Sequence, residues 1–299
     1  MTPTVSVVIP TYNSAHFLRE AIASVDAQQW PGLEIIVVDD GSTDETEAVV
    51  NALSRRGDVR FLRQENAGAA SARNLGIAAA SGDWVAFLDV DDLWLPGKLA
   101  AQFAELEKRA NAIFSYTDVT LRLATGETSN LECGEADQPL LTQLLGGNLI
   151  ATPSVVVRRD CLHQVGLFDT SLRTGEDWNM WLRLAAHFEH VRVAQPLTVI
   201  RVADHTKFPV ETLERCTLRS LQQLFSCHCI QRDWPKVASS RRLIYSWHYS
   251  VIARSYLRHG RLVDFCRLAW RAIWSHPAGL SYLTNARREA LERQLFDAA

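Results

Sequence analysis

A chain of 299 residues, 47% hydrophobic and 22% charged, is long and apolar enough for one large domain or one domain with an appendage, and this composition excludes a disordered protein. Its net charge of −3 hides an asymmetry: from Lys236 onward eleven basic residues face four acids, a surplus of seven, which leaves the preceding residues at −10. The longest apolar runs, such as Val5 to Pro10 and Ile35 to Val38, have strand length and fall far below the roughly 20 residues that cross a bilayer, so no membrane span is expected.

The opening MTPTVSVVIP carries no basic segment ahead of its apolar run, which argues against a secretory signal and for the cytoplasm. VSVVI (5–9) reads as a strand. The helix after Ser14 places Phe17, Leu18, Ala21, Ile22 and Val25 on one face. EIIVV (34–38) is a second strand ending at Asp39, Asp40 and Gly41, after which Ser42 with Glu45 reads as a capping box for the next helix. A third strand spans Val59 to Arg63, followed by the small-residue helix AGAASARNLGIAAA. DWVAFL (83–88) is a fourth strand running into Asp89 and Asp91, and Pro96 marks the first turn of another helix. Strands separated by helices imply a parallel sheet with right-handed crossovers.

Acids at strand ends point into the crevice beyond the carboxyl edge of such a sheet, where ligands bind. No G-x-G-x-x-G and no G-x-x-x-x-G-K-[ST] follows the first strand, so a diphosphate would need neutralising by other means. A divalent cation held by carboxylates does this, and Asp89 and Asp91 supply oxygen ligands suited to Mn²⁺ or Mg²⁺.

VSVVIPTYNS, EIIVVDDGSTDET, ENAGAASARNLGI and FLDVDDLWLP, in this order, resemble the N-terminal blocks of inverting family 2 glycosyltransferases, and TGEDWNMWLRLA and QPLTVIRVADH resemble later elements of that family. The resemblance covers roughly residues 4–205. It implies a GT-A fold: a Rossmann-like, mostly parallel central sheet flanked by helices, with a catalytic domain over 1–209 and a helical C-terminal region over 210–299. It further implies that Thr11 and Tyr12 flank the base of a nucleoside diphosphate sugar and that Asp39 accepts a hydrogen bond from the base. Arg73 then lies near the diphosphate and Asp89 faces the ribose and sugar, with Pro10, Asn13, Gly68 and Val90 also on the donor side. Asp91, with Asp92 and His205, would hold the metal, and Asp177 would be the general base, with Glu176 a second candidate.

Each role has a plainer competitor. Asp39 and Asp40 suit a turn before Gly41. Thr174 and Asp177 suit a capping box. Arg73 suits a solvated helix face, and His205 an exposed histidine. Trp178 could stack on a sugar, whereas Trp181 and Leu182 read as core. The six cysteines read as reduced, and Cys227-His228-Cys229 reads as part of a helix, since adjacent side chains there diverge by about 100° and cannot converge on one ion.

The C-terminal third reads as three helices, with apolar faces at Leu213, Leu221, Leu224 and Phe225; at Ile244, Trp247 and Val251; and at Leu262, Phe265, Ala269 and Ile273. Their basic, Trp-bearing surface reads as a solvated arginine-rich face. A second reading is a peripheral contact with the anionic inner face of a membrane, where each cation contributes about 1 kcal/mol.

The expected activity is transfer of one sugar, from a UDP-sugar first among the donors, to an acceptor hydroxyl on a saccharide or lipid-linked saccharide, with inversion, in cell-surface polysaccharide or glycolipid assembly. No nucleic-acid partner is expected. FLDVDD also resembles the D-x-D strand of haloacid-dehalogenase-type phosphatases, with Asp89 and Asp91 as the reacting pair, although that pattern belongs on a first strand and Leu93 stands where it has Thr or Val. A noncatalytic nucleotide-sugar-binding protein would keep the same fold.

Overall fold

The computed structural model describes residues 2–53, 59–135, 138–202 and 208–284. By packing, the chain forms two units: Met1–Ala136, Ile150–Ser171 and Phe188–His205 make the first, and Asp137–Leu149, Leu172–His187 and Thr206–Ala299 the second. The chain therefore passes into the second unit twice before the helices that follow residue 209.

The first unit opens with β1 (Val5–Thr11), α1 (Ala15–Asp26), β2 (Leu33–Asp39), α2 (Thr46–Leu53), β3 (Val59–Arg63), α3 (Ala69–Ala79) and β4 (Trp84–Phe87). These strands pair in parallel in the order β3-β2-β1-β4. The chain moves outward from β1 to β3 and then returns to the other side of β1, so the strand order reverses between β1 and β4. That reversal opens a crevice at their carboxyl ends. Both faces of the strands are covered, and Val5, Val7, Val8, Ile9 and Ile35 to Val38 are buried, the near-continuous apolar reading of a parallel sheet.

Leu18, Ala21, Ile22 and Val25 of α1 are buried as the helical spacing requires, and Phe17 packs beside them. On α3, Gly76 faces Val8 of β1 so closely that a Cβ would stand 2.3 Å from Val8 Cγ1, so a side chain there would push the helix off the strand.

Beyond β4 the sheet is mixed. β5 (Leu93–Trp94), α4 (Lys98–Glu107), β6 (Ala112–Leu123), β7 (Thr128–Leu131), β8 (Val156–Arg158), α6 (Arg159–Val165) and β9 (Glu189–Val202) continue the first unit. β8 runs antiparallel to β4 and β6, β6 and β9 are parallel, and β5 and β7 pair antiparallel with β9 and β6. Two helix starts differ from expectation. The Glu45 carbonyl accepts the Val49 N–H, so α2 begins after Glu45, and Ser42 Oγ accepts the Asn13 N–H at 2.8 Å instead of serving a capping box. Pro96 precedes Gly97, the residue before α4.

The second unit contains α5 (Leu140–Leu145), α7 (Glu176–His187), α8 (Val210–Ser226), α9 (His228–Asp233), α10 (Pro235–Ser239), α11 (Arg241–Arg258), α12 (Leu262–Ser275) and α13 (Gly279–Thr284). Glu214 of α8 accepts both Arg267 guanidinium nitrogens, at 2.9 and 2.8 Å, and the Tyr256 hydroxyl at 2.9 Å, which ties α8, α11 and α12 around a core of Val210, Ile252, Ala253, Tyr256 and Leu268. α12 is rotated from its expected face. Leu268 and Ala272 are buried, while Leu262 and Ile273 lie outward. Arg267 of α12 is held by Glu214 in that rotation, which apolar spacing alone does not report. Among the described residues no helix is long and apolar enough to cross a membrane.

His248 of α11 is buried, with Nε2 2.9 Å from the Leu145 carbonyl oxygen. A carbonyl only accepts, so Nε2 carries the proton of a neutral ring. Burial holds this histidine down at about 4, against an ordinary value of 6.5. The unfolded chain therefore binds a proton between those values that the folded chain refuses, and stability falls as pH drops through that window. At about 1.4 kcal/mol per pH unit, the contribution of His248 alone falls by about 2 kcal/mol between pH 6.5 and about pH 5. Urea unfolding of wild type and of His248→Gln, which keeps a donor to Leu145, should give a stability difference that shrinks by about 2 kcal/mol on going from pH 6.5 to about pH 5; a difference independent of pH would mean the imidazole titrates freely in the fold.

Candidate functional site

Thr11 and Asp39 close β1 and β2 as register partners, so their side chains leave the same face of the sheet. Asp39 is fully buried. Its Oδ1 accepts the Ser42 N–H at 2.9 Å, while its Oδ2 and the Thr11 Oγ1 are buried without a hydrogen-bond partner. Arg63 Nε stands 3.5 Å from Oδ2, close enough to attract it and too far for a good hydrogen bond. Buried polar atoms are normally satisfied, so two orphans side by side at the carboxyl edge mark a place shaped for a polar ligand. Tyr12, next along the chain, is 49% exposed.

Neighbouring residues that look equivalent in the sequence do other work. Asp40 accepts the backbone N–H groups of Ala67 and Gly68 at 2.8 and 2.9 Å and the Gln64 amide at 2.7 Å, so it anchors the loop entering α3. The Gly68 N–H is thereby occupied, and what Gly68 contributes is its left-handed φ of 94°. Asn13, also left-handed at φ 47°, accepts the Thr43 N–H at 2.8 Å and clips the turn after β1 to the turn after β2. Pro10 is buried within β1 beside Val38.

At the end of β4, Asp89 Oδ1 accepts from Arg73 Nη2 at 2.7 Å. Arg73 is buried in α3 and lies 5.5 Å over the Phe168 ring. The pair fixes both groups at the crevice instead of leaving Arg73 on a solvated face. Val90 is core, so only its backbone can face a ligand. Asp91 is half-buried, and its carbonyl accepts from Arg201 Nη1 at 3.2 Å. Asp92 is buried, with Oδ1 on the Arg201 N–H at 2.9 Å, so it pins β9 to this turn. Burial, and then the charges of Asp89 and Asp91, push the Asp92 carboxyl up to about 8. An all-oxygen set crowded with like charge fits Mg²⁺ or Mn²⁺. His205 lies outside the described residues.

In the second unit, Gly175, at φ 69°, accepts the Asn179 N–H and is the residue before α7. Asp177 is then the second helical residue, one position short of a capping-box partner, and the Thr174–Asp177 box does not form. Its Oδ2 accepts Asn148 Nδ2 at 2.8 Å and its Oδ1 the Trp178 N–H at 2.7 Å. Of the two acids at the helix start, Asp177 lines a cavity of about 420 Å³, with Asn148, Trp178, Ser220, Trp247 and His248. That is the size of a small-molecule site. Trp178 donates Nε1 to the Leu144 carbonyl at 2.8 Å, which holds its ring in the wall. Trp181 and Leu182 are buried core, as expected.

Sequence reasoning missed Arg63, Arg201, Asn148 and His248. Arg63 was recoverable from strand register, since it pairs with Asp39. Gly146-Gly147-Asn148 carried a loop signal. Nothing local marked Arg201 or His248.

Residues 6–128 match the family model "Glycosyl transferase family 2". An uncharacterized glycosyltransferase of Rickettsia prowazekii is 35% identical over 63% of this chain and 62% of its own length. One of Rickettsia felis is 34% identical over 68% of this chain and only 33% of its own length. The chain thus spans about three fifths of the first relative and one third of the second. TuaG of Bacillus subtilis, a putative teichuronic acid biosynthesis glycosyltransferase, is 34% identical over 61% of this chain and 72% of its own.

Among solved structures, S. aureus TarS matches with a TM-score of 0.65 at 16% identity, over 99% of this chain and 86% of that one, and it has also been solved with UDP and with UDP-GlcNAc. At that identity the likeness shows the GT-A fold. Since the family model covers the strands that carry Thr11, Asp39 and Asp89, and TuaG is matched over more than two thirds of its length, the chain belongs to glycosyl transferase family 2.

Proposed function

We propose that residues 1–209 transfer one sugar from a nucleoside diphosphate sugar to an acceptor hydroxyl, with inversion at the anomeric carbon. The observation that carries this reading is the orphaned pair Thr11 Oγ1 and Asp39 Oδ2, buried at the carboxyl ends of β1 and β2 beside exposed Tyr12. A nucleobase offers both a face for Tyr12 and an N–H for Asp39. Uridine is the first base to test, because TarS is described with UDP and UDP-GlcNAc. The putative role of TuaG makes cell-surface polysaccharide assembly the setting to examine.

Asp91, with Asp89 and Asp92 beside it, would hold Mn²⁺ or Mg²⁺. Such an ion neutralises the diphosphate and stabilises the charge that develops on it as it leaves. Arg73, held by Asp89, adds a fixed positive charge on the donor side. Asp177 removes the proton of the acceptor hydroxyl as its oxygen attacks the anomeric carbon and the bond to the diphosphate breaks. Asn148 Nδ2 and the Trp178 N–H each donate to one of its oxygens, which fixes the direction of the carboxylate. Family membership leaves no support for the dehalogenase-type phosphatase reading, and Asp177 in a cavity favours catalysis over nucleotide-sugar binding alone.

A peripheral membrane contact rests on its own observation. The outer face of α12 exposes Val263, Trp270 and Trp274 at 83, 67 and 79%, the two indole rings stack at 6.4 Å, and Arg241, Arg242 and Arg271 border the same hollows. Exposed tryptophans ringed by arginines suit the headgroup region of an anionic leaflet.

Calorimetry should show UDP binding that needs Mn²⁺ or Mg²⁺ and weakens at least about tenfold in Asp91→Ala. Asp91→Ala should cost less unfolding free energy than Asp40→Ala, which strands the N–H groups of Ala67 and Gly68 and should lose about 1–3 kcal/mol. Binding indifferent to chelator would remove the metal from the proposal.

In a transfer assay, Asp177→Asn should lower kcat by about 10²–10⁴ with UDP affinity unchanged. Asn148→Ala should give a smaller loss in the same direction. A fully active Asp177→Asn would move the base elsewhere. Co-sedimentation with phosphatidylglycerol vesicles should fall at least about tenfold in the double variant Trp270→Ser, Trp274→Ser, since each buried indole is worth about 1.5–3 kcal/mol; equal binding by wild type and variant would end the membrane reading.

A further inference from the structure

The second unit holds a cluster of soft ligands that the transfer reaction does not use. His187 ends α7, and Cys227 and Cys229 flank the start of α9. Their ligand atoms all lie within 4.8 Å of one another. α8 stops at Ser226 and Cys227 is extended, at φ −74° and ψ 128°, so the two thiols do not ride on one continuous helix. That break corrects the expectation that this segment cannot converge on an ion. His228 stays outside the cluster and exposed, and the imidazole comes from a residue 40 positions earlier.

The geometry around the cluster is that of a prepared site. His187 Nδ1 is 2.8 Å from the Arg183 carbonyl oxygen, which only accepts, so Nδ1 carries the proton and the Nε2 lone pair is directed at Cys227 Sγ, 3.8 Å away. Fixing a histidine tautomer through a backbone carbonyl is the usual support for a metal-binding imidazole. Cys227 Sγ also accepts the Cys229 N–H at 3.3 Å, which holds the sulfur in place between His187 and Cys229. In tetrahedral zinc sites, bonds of about 2.3 Å to sulfur and 2.0–2.1 Å to nitrogen put the ligand atoms about 3.6–3.8 Å apart. The His187–Cys227 edge already has that length, and the widest edge closes with a shift of about 1 Å, within reach of side-chain rotation.

We propose that His187, Cys227 and Cys229 bind Zn²⁺, with water completing the tetrahedron on the exposed side of His187. Both thiols release their protons to solvent as the ion binds. Thiolate and imidazole select zinc over Mn²⁺ or Mg²⁺, so this ion is distinct from the one proposed at Asp91. The site ties the end of α7 to the junction of α8 and α9. α7 is the helix whose first turn carries Glu176 and Asp177, 12 residues long and therefore about 18 Å from end to end.

The test uses the tag-free full chain, purified with reductant and titrated with Zn²⁺ and with Co²⁺ as a spectroscopic substitute. The expected result is one zinc per chain by elemental analysis and, with cobalt, thiolate charge-transfer absorption together with the strong visible bands of a tetrahedral ion. Cys227→Ser and His187→Gln, at half-buried and exposed positions, should keep the fold and bind zinc more than about a hundredfold more weakly. Cys229→Ser should do the same if it folds. Asp91→Ala should keep the cobalt spectrum unchanged, which separates this site from the donor-side metal. A folded, reduced wild type whose cobalt spectrum lacks thiolate bands, a Cys227→Ser chain that keeps full zinc affinity, or a Cys227–Cys229 disulfide formed in place of metal binding would each overturn the proposal.

Discussion

Like charges repel, and the carboxyl edge of this sheet gathers Asp39, Asp40, Asp89, Asp91 and Asp92 onto the tips of two strands and one turn. The surrounding structure is arranged around that cost. A hydrogen bond to a charged group contributes about 1.5–3 kcal/mol, and a buried charge without such partners costs several. Asp40 has three donors and is satisfied. Asp89 has the Arg73 guanidinium. Asp92 has one backbone N–H against its burial and two neighbouring charges, and its carboxyl rises to about 8. Asp40 is satisfied by the protein and serves the fold, while Asp39 keeps an oxygen without a hydrogen bond where a ligand would supply one.

The same accounting separates residues that composition treats alike. Asp39 and Asp40 are adjacent and both buried, yet Asp40 holds the loop entering α3 while Asp39 keeps an oxygen without a hydrogen bond. No propensity distinguishes them. What does is strand alternation: at the end of β2 successive side chains leave on opposite faces, so Asp39 joins Thr11 while Asp40 turns toward residues 64–68.

Much of the first unit is legible in the sequence because its determinants are local. Short continuous apolar runs mark β1, β2 and β4, a 3.6-residue period marks the inner face of α1, and four N-terminal blocks carry the family. The rest depends on partners far along the chain. Ser42 looks like a helix cap until Asn13, 29 residues earlier, takes its hydroxyl. α12 has two apolar stripes, and the one that turns inward packs Leu268 on α8 and α11 with Arg267 paired to Glu214, partners far along the chain. The antiparallel insertion of β8 between β4 and β6 follows from pairing across long loops that no local signal announces. The cavity around Asp177 is built from residues 146–148, α7, α8 and α11, so its walls assemble only in three dimensions.

α7 gives the second unit its mechanical logic. A helix of three turns transmits displacement along its axis with little loss, because its hydrogen bonds and packed side chains leave few soft coordinates. Trp178, Met180, Trp181, Leu182 and Leu184 are buried along it, and Asn179 is tied to Gln223 on α8. Trp234 Nε1 donates to the Ala186 carbonyl near its end. Every turn of α7 is thus restrained within its own unit. A group that must meet a proton at hydrogen-bond distance gains from that rigidity, since an error of about 1 Å in a reacting group can cost a hundredfold in rate. Asp177 sits at the one end of this rod that opens into a cavity, and the opposite end, at His187, is where an additional tie would least disturb the chemistry while still fixing the axis on which Asp177 is carried.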